Sequence, residues 1–136
     1  MEHITQASVV EAGTSRFFNS VDTDGHQFVM DEPEVMGGTD LGPSPFALVA
    51  AALGACTNMT LRMYADMKKL PLDQVETEVV HTPGKDGHHF KRIIKIQGNL
   101  SSEDRERLLV IANKCPVHKL LEHQAVVDSE LAEEAF

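Results

Sequence analysis

The sequence predicts an α+β domain, on three observations. Short β-patterned segments open the chain, one long apolar helix occupies its middle, and a strand pair, a second helix and a last strand follow. That order, β-β-β-α-β-β-α-β, mixes runs of strands with separate helices rather than alternating them one by one. At 136 residues the chain has the length of a single domain, 1–136, and about two-thirds of its unfolded surface is expected to be buried on folding.

The first strand is expected between Ile4 and Glu11, where small and β-branched residues end at Gly13. A second candidate runs from Arg16 to Thr23. Thr23-Asp24-Gly25-His26 then carries an Asp-Gly turn signal, and Gln27 to Met30 returns as the third strand of a meander. Asp31 to Ser44 reads as a loop, punctuated by Pro33, Gly37, Gly38, Gly42 and Pro43. So long a loop in a compact domain tends to be functional or partner-bound.

The long helix is expected from Ser44, a capping residue followed by Pro45, to about Lys69, with Pro71 as the stop. Phe46 to Cys56 is apolar all round, the mark of a buried helix. Further on, Met59, Met63 and Met67 continue a stripe through Leu48, Ala52 and Cys56, and Asn58, Arg62, Asp66 and Lys69 form the polar face. A chain this short would struggle to surround such a segment, so a partner subunit is expected to supply one wall. Strands follow at Leu72–His81 and Phe90–Ile96. A helix capped by Ser101 then places Leu108, Ile111, Ala112 and Cys115 on one face until Pro116 interrupts it. Val117–Glu122 reads as a turn or short helix, Ala125–Leu131 as a final strand and Glu133–Phe136 as a frayed acidic end.

Charge and composition remove whole classes of function. Twelve Lys plus Arg against 21 Asp plus Glu give a net charge of −9, which opposes a phosphate backbone and an anionic membrane surface. The longest apolar stretch, Phe46–Cys56, falls short of the roughly 20 residues of a membrane span. Residues 1–15 contain Glu2 and Glu11 and lack the basic start and apolar run of a signal peptide, so the expected location is the cytoplasm.

Two cysteines are too few for a disulfide scaffold or a structural zinc site, but enough for a redox pair. Cys56 and Cys115 each lie on an apolar helix face. The pattern admits both a meeting in the core as reactive thiols and plain packing as small hydrophobes. A mid-helix cysteine in apolar surroundings has a raised pKa and needs a cation to become a nucleophile. Arg16, Arg62 and Arg92 are the arginines outside the second helix; Arg62 lies at i+6, roughly on the opposite face, and Arg16 comes from a region free to fold over, or across, an interface. His88-His89, His118 and His123 lack metal-binding spacings, so no metal is expected, and no nucleotide-binding or serine-nucleophile motif is present.

Two segments are specific. The run Gly37-Gly38-Thr39-Asp40-Leu41-Gly42-Pro43-Ser44-Pro45-Phe46-Ala47-Leu48, followed by Ala51-Ala52-Leu53-Gly54-Ala55-Cys56-Thr57-Asn58-Met59-Thr60-Leu61-Arg62-Met63-Tyr64-Ala65, resembles the first signature of the OsmC/Ohr family. These are the osmotically inducible protein C and organic hydroperoxide resistance proteins. Cys115-Pro116-Val117-His118 resembles the second cysteine motif of the OsmC-like branch. The likeness covers about residues 16 to 131.

The resemblance implies an intertwined α+β homodimer with two long central helices flanked by sheets and active sites at the subunit interface. It implies a thiol peroxidase without a cofactor. Cys56 would attack an organic or fatty-acid hydroperoxide and become a sulfenic acid, Cys115 would condense with it to a disulfide, and a dithiol, often a lipoylated protein, would restore both thiols. Peroxidatic members set an Arg and a Glu beside the reactive cysteine. Arg16 is the candidate for the first. Phe46 stands in place of the second, ten residues before Cys56, leaving Glu32, Glu34 or Asp40 in the loop as stand-in carboxylates. The departure keeps a second expectation open, a non-catalytic binder of lipid-like small molecules on the same fold.

Overall fold

The computed structural model describes residues 3–13, 15–123 and 125–132. Strands β1 (Ala7–Glu11), β2 (Asn19–Thr23) and β3 (His26–Met30) come first, then helix α1 (Pro45–Lys68). Strands β4 (Leu72–Thr82) and β5 (His89–Gly98) and helices α2 (Ser102–Ala112) and α3 (Pro116–Glu122) complete the chain. The chain divides into two compact units, residues 1–52 with 79–92, and residues 53–78 with 93–136.

In the first unit, β1, β2 and β3 form an antiparallel meander in that order. The turn between β2 and β3 puts Asp24 at φ 49° and Gly25 at φ 83°. Two consecutive left-handed residues match the right-handed twist of the flanking strands, which is why Asp-Gly is selected there. Thr23 pairs with His26 and Val21 with Phe28, so the turn sets the register. The loop that follows holds one short 3-10 turn, Glu34–Met36. It is organised on Asp31, buried at 2% exposure. One Asp31 oxygen accepts the Glu32 N–H at 2.8 Å; the other accepts the Thr39 hydroxyl at 2.6 Å and the Leu41 N–H at 3.2 Å.

The first unit also contains the ends of β4 and β5. His81 Nε2 and His88 Nδ1 lie 2.9 Å apart. Their rings are within 17° of parallel with centroids 5.1 Å apart, the separation expected for two rings meeting edge-on through that hydrogen bond. The Phe46 ring lies 4.6 Å from His81, nearly parallel to it. These histidines close the turn between the strands and stack on an aromatic ring.

Helix α1 begins as its sequence requires, with Ser44 Oγ accepting the Ala47 N–H at 3.2 Å. It ends before Pro71 is reached. Lys69 is left-handed at φ 57°, and the N–H groups of Lys69 and Leu70 return to the carbonyls of Asp66 and Ala65. This is a Schellman closure with lysine where glycine is usual. By length and composition alone the helix is long and apolar enough to cross a membrane, because Thr57, Asn58 and Thr60 interrupt the apolar run without adding charge. In the second unit, however, one face of it serves as a core helix.

That face carries Leu53, Thr57, Leu61 and Ala65. Leu61 packs with Leu108, Ile111 and Ala112 of α2, flanked by Val75 of β4 and Ile94 and Ile96 of β5. The methionine stripe lies outside: Met59, Met63 and Met67 are each more than half exposed. Hydropathy gives this helix two apolar sides and cannot rank them. The choice follows from α2, whose apolar face meets Leu61, and from Thr57, whose hydroxyl is satisfied by the Leu53 carbonyl at 2.7 Å and so tolerates burial. Two residues of the expected polar face are tied to β4. Asn58 accepts from the Thr77 hydroxyl at 2.6 Å, and Arg62 donates to the carbonyls of Leu72 and Asp73.

β5 ends at Gly98, whose φ of 148° and approach to the Pro71 carbonyl leave no room for a Cβ. Ser101 caps α2 by accepting the Asp104 N–H at 3.0 Å. The strand expected at Ala125–Leu131 does not form. Residues 125–132 are irregular, with Val126, Val127 and Leu131 almost wholly exposed. An apolar β-branched run becomes a strand only when a neighbour completes its ladder, and none among the described residues does. The expected frayed end, residues 133–136, lies outside the described residues.

Candidate functional site

Cys56 and Cys115 both belong to the second unit. Cys56 stands on α1, half-buried. Cys115 is fully buried in the joint between α2 and α3, where it is the residue before Pro116 at the first turn of α3. Pro116 creates that joint. It lacks the N–H needed to prolong α2, but its fixed φ suits the start of a helix. The N–H groups of Lys114 and Cys115 reach back to the carbonyls of Ile111 and Ala112, tightening the end of α2 and holding Cys115 inward.

The two thiols meet. Burial pushes the Cys56 thiol above its ordinary value of 9.0, and its hydrogen bond to Cys115, together with the charge Cys115 can itself carry, pushes the same way. Two donors act against this, the Val117 N–H and the Thr60 hydroxyl, and burial outweighs them. Cys56 is therefore a neutral thiol near pH 7 with a hydrogen-bond donor set in place for its anion.

Arg16 is an exposed side chain of the first unit, with its guanidinium 5.1 Å from the Phe17 ring centroid. Within the second unit, the described groups acting on the Cys56 thiol are Cys115, Val117 and Thr60. Arg62 is committed to the start of β4. His118, three residues after Cys115, sits 3.0 Å from Glu122 one helical turn on. No group of three or more metal-binding side chains occurs among the described residues. Sequence reasoning missed Thr60 and Val117. Both carry a signal in retrospect: Thr60 is at i+4 from Cys56 on one helix face, and Val117 lies within the Cys-Pro-Val-His motif.

Residues 38–130 match the family model described as OsmC-like protein. No curated protein matches the chain. Solved structures share the fold at low identity. An OsmC-like protein from Mycoplasma pneumoniae superimposes with a TM-score of 0.74 at 21% identity, covering 90% of this chain and 89% of that one. An organic hydroperoxide resistance protein from Elizabethkingia anophelis gives 0.69 at 20% identity, covering 88% of each chain. The organic hydroperoxide resistance protein OsmC from Legionella pneumophila gives 0.65 at 23% identity, covering 86% of this chain and 88% of that one.

Proposed function

The chain belongs to the OsmC-like protein family, and from that premise we propose that it reduces organic hydroperoxides with Cys56 and Cys115. The observation that carries the reading is the hydrogen bond between these thiols, one in each of the two family-like motifs. The Cys56 thiolate attacks the O–O bond, the alcohol leaves with a proton, and the sulfur is oxidised by two electrons to a sulfenic acid. The Cys115 thiol displaces water from it, forming the Cys56–Cys115 disulfide. A dithiol reductant, of the lipoylated kind the family uses, returns both thiols by exchange and is itself oxidised to a disulfide. Each cysteine lies on an apolar helix face, which suits a greasy peroxide.

The same reading takes the protein to be a cytoplasmic homodimer. Ala51, Ala52, Ala55, Met59, Met63 and Met67 are exposed on one side of α1, an apolar strip suited to a second copy. Arg16 is the side chain we place beside Cys56 of the partner-completed site, since it comes from the N-terminal region as the family's arginine does.

Mass spectrometry after cumene hydroperoxide and thiol alkylation tests the proposal. The expected result is loss of both free thiols and one intramolecular Cys56–Cys115 disulfide. Cys56 alkylating as readily after peroxide as before overturns it. A second reading, a binder of lipid-like molecules, is favoured by the raised Cys56 thiol and by Phe46 in the carboxylate position. It requires unreactive thiols together with an acyl ligand that stays bound in native mass spectrometry.

A further inference from the structure

The hairpin end of the first unit brings two imidazoles together. His81 is near the end of β4, and His88 stands directly before β5. The chain returns through residues 83–87. There Gly87, at φ 140°, takes a conformation that favours glycine, and its N–H reaches the Gly84 carbonyl at 3.4 Å. The result is a separation of 2.9 Å between His81 Nε2 and His88 Nδ1. Sequence spacing does not reveal the pair, because the two residues lie seven positions apart and meet only across the turn.

Apolar rings pack on the pair. Phe46 stacks on His81 at 4.6 Å and lies 5.2 Å from His88. Phe90 packs on His81 at 4.8 Å. All four rings belong to the first unit. His88 is exposed and His81 half-buried, so one edge of the pair is open to solvent. Apolar packing of this kind limits the freedom of the rings and shapes solvent access to their nitrogens.

The separation selects a coordination geometry. Two imidazole nitrogens, each about 2.0–2.1 Å from one ion, lie about 2.9 Å apart at a right angle and about 3.3 Å apart at the tetrahedral angle. The observed 2.9 Å matches the right angle, the geometry of nickel(II) and copper(II) rather than of zinc. In the hydrogen-bonded pair one ring donates its proton to the other. For both to bind an ion, the donating ring carries that proton on its other nitrogen, and both rings tip until their lone pairs converge. No proton is gained or lost, and the ion exchanges two of its waters for two imidazoles. Among the described residues no third His, Cys, Asp or Glu completes a group with them, so water fills the remaining positions.

We propose that His81 and His88 form an open two-histidine site for a divalent transition ion of right-angled coordination, nickel(II) or copper(II), held between the ends of β4 and β5 against Phe46. The proposal does not depend on the thiol chemistry above.

Site-resolved NMR of the full chain at about pH 7.5, where the ion competes little with protons for imidazole, tests it. Nickel(II) chloride is the probe, because it does not oxidise thiols. Paramagnetic nickel is expected to broaden the ring signals of His81 and His88 before those of His26 and His89. His81→Gln and His88→Gln are each expected to raise the dissociation constant at least about tenfold, since changes outside the ligand shell alone cost about that much. His89→Gln removes the neighbouring histidine and is expected to leave the constant unchanged. Circular dichroism reports the fold of each variant, and His88→Gln, at an exposed position, decides the matter should His81→Gln unfold the chain. Nickel that leaves both rings unchanged, broadens all the histidines alike, binds His88→Gln as tightly as wild type, or is weakened as much by His89→Gln overturns the proposal.

Discussion

At the scale of residues, what distinguishes this chain is how its few polar groups in apolar settings are satisfied. Asp31 is the clearest case. The Thr39 hydroxyl, with the N–H groups of Glu32, Leu41 and Thr39, holds its carboxyl below the ordinary value of 3.8 even though burial acts the other way. A carboxyl with a lowered folded-state pKa contributes stability that is present above its unfolded value and disappears as pH falls through the folded one. Asp31→Asn is therefore expected to lower the urea midpoint at pH 7, with the gap to wild type closing below about pH 4, where the unfolded carboxyl also protonates. Urea melts of both chains across that range check it, and a gap constant with pH contradicts it. Nothing in the sequence marked Asp31 out from the other acids of its loop. Its role depends on backbone N–H groups that converge only once the loop closes.

At the scale of elements, local chemistry specified most of what formed. Asp24-Gly25 made its turn, Ser44 and Ser101 made their caps, and Pro116 divided α2 from α3 with Cys115 at the joint. The face of α1 that goes inward was not legible, since both sides are apolar and only the contact with α2 ranks them. Leu61 is fully buried and Met63, two positions on, is 58% exposed. Leu61→Ala is expected to destabilise the fold by about 3 kcal/mol through lost burial and a residual cavity. Chemical denaturation measures it, and a loss below about 1 kcal/mol, the scale of a surface change, would mean that the inward face is misassigned. The Ala125–Leu131 segment teaches the same point for strands: its composition favours pairing, but pairing needs a second strand in register.

At the scale of the whole molecule, the exposed strip along α1 and the unpaired apolar segment after α3 are the features a lone chain leaves unfinished. If the strip meets a second copy, as proposed above, Met63→Lys sets a charge against its image in the partner and is expected to convert a dimer to a monomer in sedimentation velocity. A wild-type chain sedimenting as a monomer, or a variant remaining a dimer, removes the strip from the interface. The amino-acid sequence by itself determined the order of elements, the family-like motifs and the identity of the two thiols, because each rests on residues close together in the chain or on chemistry carried by a single side chain. The tertiary structure alone decided that Cys56 and Cys115, 59 positions apart, face one another. It also decided which face of α1 is core. These are contacts between distant segments, and their energies arise only when packing brings the partners within reach.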